Sequence, residues 1–125
     1  MLIKRIKYED FNGEEREEDF YFNLTKTELV KWNLSTTGGL EQLMKKIVDT
    51  KDSTKLLEIF DEIISRAYGV RSDDGKRFIK SKELTEEFRE TLAYDQLFMN
   101  FMQNPDDYVA FLKGIVPTDI ASDIA

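Results

Sequence analysis

The sequence predicts an α+β fold, mainly α, in which one N-terminal β-hairpin packs on a bundle of five or six short helices. Two kinds of observation predict it. Apolar residues alternate with period two as far as residue 24 and then recur at helical spacing to about residue 115. Helix-start signals also punctuate the second part at regular intervals.

The hairpin comes first. Leu2, Ile6 and Tyr8 share one parity, and so do Phe20, Phe22 and Leu24, with Phe11-Asn12-Gly13 between the two runs. A two-residue Asn-Gly turn would pair even positions with odd ones and split the apolar set between two faces. A three-residue loop with Gly13 left-handed in a bulge keeps the set on one face. That register sets Arg5 opposite Asp19 and Lys7 opposite Glu17 on the solvent side. An isolated two-stranded hairpin is marginal in water, so the Phe20/Phe22 face must rest on helices or on another copy.

Thr25-Lys26-Thr27-Glu28 is a capping box with Leu24 and Leu29 placed as a hydrophobic staple. The helix it opens fades at Ser35 to Gly39, with Gly38-Gly39 read as a connector. Leu40, Leu43, Met44, Ile47 and Val48 mark a second helix. A third starts near Ser53, carries Leu56, Leu57, Phe60, Ile63, Ile64 and Ala67, and is expected to stop at Gly69. From Val70 to Ile79 the helical period breaks around Asp73-Asp74-Gly75, a tight turn or a short second hairpin. Ser81 caps a fourth helix with Leu84 and Phe88, and the pattern resumes after a break near Thr91. Asn104-Pro105-Asp106-Asp107 reads as a helix start, with proline at the first position and acids at the positive dipole end. The last helix ends at Gly114. These assignments give a single domain over 1–117, with the hairpin at 1–24 and the helical bundle at 25–117, followed by a flexible tail at 118–125.

Composition narrows the function. The 125 residues are 41% hydrophobic and 34% charged, and nine Phe and five Tyr supply a core that disordered chains lack. There is no Cys and no His. Disulfides, thiolate chemistry, imidazole ligands and His-dependent triads are therefore excluded. No apolar run approaches the roughly 20 residues of a membrane span, and the reading is cytoplasmic. A net charge of -7 argues against a nucleic-acid surface. Between residues 9 and 19, seven acids stand against Arg16 alone, a sum of -6.

The remaining site-like clusters carry little chemistry. Asp73-Asp74-Gly75 lacks the alternating ligands and distal Glu of a calcium loop, and Gly38-Gly39 lacks the Lys-Ser/Thr of a phosphate loop. Lys76, Arg77, Lys80 and Lys82 form a small basic patch beside Phe78, read as a solvated loop. No catalytic, cofactor or metal residue is assigned. Two features remain. One is the acidic hairpin tip, which either blocks edge pairing by charge or docks a basic partner. The other is the run from Tyr94 to Met102. Tyr94, Leu97, Phe98, Phe101 and Met102 share a face and Met99 falls off it, so the helix is apolar over more than half its circumference. Met and Phe together make a surface that repacks around varied apolar ligands. The expected partner-binding residues are Tyr94, Leu97, Phe98, Met99, Phe101 and Met102, with Phe20 and Phe22 of the hairpin.

Phe11-Asn12-Gly13, Phe20-Tyr21-Phe22-Asn23-Leu24-Thr25, the run Leu34 to Leu40, the run Ala67 to Ser81, and Tyr94-Asp95-Gln96-Leu97-Phe98 together carry a likeness. Over about residues 5–117 the chain resembles the tail assembly chaperones of long, non-contractile-tailed bacteriophages. The resemblance implies a non-enzymatic protein of the host cytoplasm, absent from the mature virion. It would bind the hydrophobic, helical tape-measure protein and keep it soluble while the tail tube polymerises, with the tail-tube protein a further partner. Self-association on the client is implied as well, and many family members also occur in a frameshift-extended form. No cofactor, membrane or nucleic acid is expected. The alternatives are a structural tail or head-tail connector subunit of the virion, or an acidic nucleic-acid-mimic inhibitor.

Overall fold

The computed structural model describes residues 1–34 and 37–122. Two strands, β1 (Leu2–Glu9) and β2 (Glu15–Phe22), open the chain. Three helices follow, α1 (Lys26–Lys31), α2 (Thr37–Asp49) and α3 (Ser53–Ala67). A second strand pair, β3 (Tyr68–Arg71) and β4 (Phe78–Ile79), precedes α4 (Lys82–Arg89), α5 (Leu92–Gln103), α6 (Pro105–Ile115) and α7 (Thr118–Ser122).

The first hairpin has the odd-length loop that parity demands. Leu2 pairs with Phe22 and Glu9 with Glu15, and Arg5 faces Asp19 while Lys7 faces Glu17. Gly13 sits at φ 78°, in the left-handed region that L side chains rarely adopt, and its N–H donates to the Asp10 carbonyl at 3.0 Å. Asp10 braces the tip. Its Oδ1 accepts from the Asn12 and Glu14 amides at 2.9 and 3.0 Å, and its Oδ2 takes the Arg16 guanidinium at 2.6 Å. The Arg16 hydrogen bond holds the Asp10 carboxyl below the usual carboxylate range. The even face goes inward, with Ile6, Phe22 and Leu24 buried and Leu2, Tyr8 and Phe20 packed against the core. Arg5 bridges Glu17 and Asp19 on the other face.

The second strand pair does more than make a second hairpin. β3 pairs with β2 through Tyr21↔Gly69 and Phe22↔Tyr68, giving one antiparallel sheet in the order β1-β2-β3-β4. The sequence reads Gly69 as the stop of α3, but the helix ends at Ala67 and Gly69 is a buried strand residue. A Cβ there would lie 2.5 Å from the Ile79 carbonyl oxygen and 2.7 Å from the Phe78 ring, so only glycine admits β4 at this distance.

The capping box of α1 forms as the sequence predicts, with Glu28 N–H donating to Thr25 and Thr25 N–H to Glu28. The helix is shorter than its apolar pattern. Asn33 turns left-handed at φ 60°, and Asn33 and Leu34 donate their amides back to Val30 and Leu29, a Schellman closure. Ser35 and Thr36, where that helix was expected to fade, lie outside the described residues. Gly38 and Gly39 are not a connector but fall in the first turn of α2. Ser81 and Thr91 cap α4 and α5. Asn104 makes no side-chain cap for α6, and its amide instead donates to the Asn100 carbonyl at the end of α5. From Thr118, where a flexible tail was expected, the chain is helical to Ser122, and Lys26 and Asp119 form an ion pair at 2.6 Å.

Lys80 is not part of a solvated basic patch. Its ammonium spends all three donors, at 2.7 Å on the Asn23 carbonyl, 2.6 Å on the Arg66 carbonyl and 2.6 Å on Glu28 Oε2. The same junction closes two helices. Asn23 N–H donates to the Ala67 carbonyl at the end of α3, and Leu24 N–H donates to the Ile115 carbonyl at the end of α6. Burial acts to raise the Glu28 carboxyl but is outweighed by Lys80 and the Thr25 amide, which hold it below the ordinary value.

Lys80→Met leaves two helix-junction acceptors and a carboxylate unpaired, and it should lower unfolding free energy by about 2–3 kcal/mol in urea at neutral pH. A depressed carboxylate stabilises above its unfolded pKa and loses that contribution as pH falls through the folded value. The gap between wild type and Lys80→Met should therefore narrow from pH 7 to about pH 3, without closing, because the two carbonyls still accept. Gly69→Ala should cost about 1–3 kcal/mol through displacement of β4, measured the same way.

Candidate functional site

α5 is wedged into the core, and that accounts for most of its apolar circumference. Ala93, Leu97 and Phe101, spaced by four, are fully buried. Neighbouring positions lean on Phe60 of α3, whose ring lies 5.3 Å from Tyr94, 5.2 Å from Phe98 and 5.9 Å from Phe101. Phe60 also meets Tyr108 and Phe111 of α6, so one enclosed ring joins three helices.

The expected partner-binding residues therefore divide. Phe22, Leu97 and Phe101 are 0%, 3% and 1% exposed, so they belong to the core and present nothing to a partner in this conformation. Phe22 meets Phe88 and Phe111 edge-on, and Phe20, half-buried, lies 5.1 Å from Phe88. The hairpin face thus rests on helices. Tyr94 is half-buried and fixed: its ring packs on Phe60 and Phe88, and its hydroxyl donates to Asp61, which Arg89 also holds. Burial, then the bond to Asp61, raises its pKa far above an ordinary tyrosine's.

Phe98, Met99 and Met102 are what α5 leaves outside. Met99 is 47% exposed and the other two are half-buried. With 3.6 residues per turn, the three lie within about 100° of each other on one side of the helix. At one end of this strip, Met102 lines a cleft of about 240 Å³ where the ends of α2, α3, α5 and α6 meet. Met102, Val48, Leu56 and Pro105 form its walls, over a floor that includes Ile47, Phe101 and Tyr108. Val48 also lines an adjoining depression with Met44 and Val109, between α2 and α6. The sequence reading missed Val48 and Leu56 as surface residues because both lie on helical stripes that read as core. Only the position of Val48 beside Ile47, at the margin of the α2 stripe, hints at its 49% exposure.

The polar clusters have structural work. Asp74 accepts from the Ser72 hydroxyl at 2.7 Å and the Lys76 amide at 3.0 Å, and those bonds lower its pKa. Ser72 Oγ accepts in turn from the Arg77 amide, so the second turn closes on itself. Among the described residues no group of three or more acidic side chains is gathered as a metal site, and no buried side-chain polar atom lacks a partner. No described helix is long and apolar enough to cross a membrane. The arrangement offers a deformable apolar strip and a cleft.

A sequence model of a family described as phage tail assembly chaperone matches residues 1–125. No curated protein and no solved structure matches the chain. With the family model spanning its whole length, this chain belongs to the phage tail assembly chaperones.

Proposed function

We propose that this chaperone binds the tape-measure protein through the outer strip of α5 and keeps that long apolar helix soluble while the tail tube forms around it. The observation that carries the reading is the cluster of Phe98, Met99 and Met102, three adaptable apolar side chains left exposed or half-exposed, the last of them lining a largely apolar cleft. A client helix exposing apolar residues every three or four positions would lay them along such a strip. The charge of -7 keeps a coated client in solution by mutual repulsion. The protein works without catalysis, as a holder, with several copies along one client and the tail-tube protein as a second contact. Its place is the host cytoplasm, and it leaves before the virion is complete.

Co-expression with the long helical tail protein of the same phage tests the reading. The wild-type chaperone should raise the soluble fraction of that client several-fold. Met99→Glu with Phe98→Ser should remove most of the gain, since a few central residues carry most interface energy. Unchanged rescue by the double variant, with its fold intact by circular dichroism, would discard the strip as the client site. Mass spectrometry of purified virions should find no copies of this chain. Stoichiometric amounts there would favour a structural tail or connector subunit instead.

A further inference from the structure

β1 is the edge of the four-stranded sheet, and half of its backbone groups point out of that sheet. In an antiparallel pair, residues that exchange hydrogen bonds alternate with residues whose N–H and C=O face away from the partner. The Asp10 amide donates to the Glu14 carbonyl at 2.9 Å, which fixes the phase at the tip. Carried along the register, Tyr8↔Arg16, Ile6↔Glu18 and Lys4↔Phe20 are the bonded pairs. The other end agrees. Asn23 N–H donates to the Ala67 carbonyl and Tyr21 pairs with Gly69, so odd positions of β2 face β3. Ile3, Arg5 and Lys7 therefore turn their amides and carbonyls to the open side of β1. Among the described residues no hydrogen bond reaches those groups.

A row of unpaired backbone groups is a template for one more strand. The helices cover only one face beside it: Leu2, Ile6 and Tyr8 turn to the core, while Ile3 is 49% exposed on the other side. Charge then selects the strand. From Leu2 to Lys7 the edge carries Lys4, Arg5 and Lys7 and no acid, in a chain of net -7. Arg5 is held by Glu17 and Asp19, but Lys4 and Lys7 make no ion pair among the described residues. A second β1 laid antiparallel would set this cationic stretch against itself, and like charges opposite each other destabilise a strand pair.

We propose that the β1 edge takes an extended acidic segment of a partner protein as a fifth strand. The backbone of that segment bonds to Ile3, Arg5 and Lys7. The period of two places its acids beside Arg5 and Lys7 on the open face and its apolar side chains beside Leu2 and Ile6. This surface is separate from the outer strip of α5, so it is a second contact and does not depend on the client site proposed above.

Hydrogen exchange of the full chain, read amide by amide by nuclear magnetic resonance, tests the edge first. In the free protein at low concentration, the amides of Ile3, Arg5 and Lys7 should exchange at least about tenfold faster than those of Lys4, Ile6 and Tyr8. The probe is a synthetic peptide that alternates valine with glutamate. It should slow the three outward amides at least about tenfold, and its lysine counterpart should bind at least about tenfold more weakly. That preference runs against the sign of the whole chain, so net charge alone does not produce it. Lys4→Glu with Lys7→Glu should invert it. Ile3→Pro removes an outward amide and spares the β1–β2 bonds, so it should remove most of the protection at Arg5 and Lys7 with the fold intact by circular dichroism. A peptide N-methylated on the residues that face β1 should fail against the unaltered protein, a control that needs no variant to fold. Outward amides already slow in the free protein, equal binding of the two peptides, or binding that leaves those amides fast would each overturn the proposal. A sedimenting mass that rises with concentration in the wild type but not in Ile3→Pro would give the edge to a second copy and overturn it too.

Discussion

Two consecutive peptide units, at Asn23 and Leu24, hold the parts of this protein together. Their amides satisfy the last carbonyls of α3 and α6, and the Asn23 carbonyl accepts from Lys80 beside β4. The chain turns there from sheet to helix, where backbone groups would otherwise be left without partners at partial burial. The Lys80 ammonium also reaches the end of α3, where a positive charge meets the negative end of the helix dipole. One short segment thus fixes where two helices end relative to the sheet. The aromatic packing of Phe22 against Phe88 and Phe111 follows from that placement.

The core and the candidate surface compete for one helix. α5 gives Ala93, Leu97 and Phe101 to the interior and Tyr94 to Phe60, and what remains is the narrow side bearing Phe98, Met99 and Met102. A helix that is apolar over most of its girth can serve a core on one side and a partner on another only if the core leaves a gap. Here the ends of α2, α3 and α6 stop short of closing over Met102, and the cleft is that gap.

Much of the short-range chemistry was legible in the sequence. The three-residue loop follows from the parity of Ile6, Tyr8, Phe20 and Phe22, and the caps at Thr25 and Ser81 from side chains a few residues from their partners, while Thr91, read only as a break, turns out to cap α5. Long-range facts were not. Nothing local to Gly69 says that β4 crosses over it, or that β3 extends the first hairpin into a four-stranded sheet. Lys80 looks like any lysine of a charged loop, because its three acceptors lie 14 to 57 residues away. The run from Tyr94 to Met102 was recognisable as apolar, but which of its residues face Phe60 depends on where α3 lies. Periodicity finds an apolar face, and only packing decides what covers it.

The pairing of β2 with β3 joins residues almost fifty positions apart in the chain, with three helices between them. A ribosome releases the first hairpin early, yet Phe20 and Phe22 find their covering rings only when residues 88 and 111 have been synthesised. Non-local closure of this kind slows folding, since loop entropy is lost before the contacts that reward it exist. The nascent chain therefore spends much of its synthesis with an uncovered aromatic ribbon, and at the far end of that ribbon stand the carboxylates of residues 9–19, like charges that repel between chains.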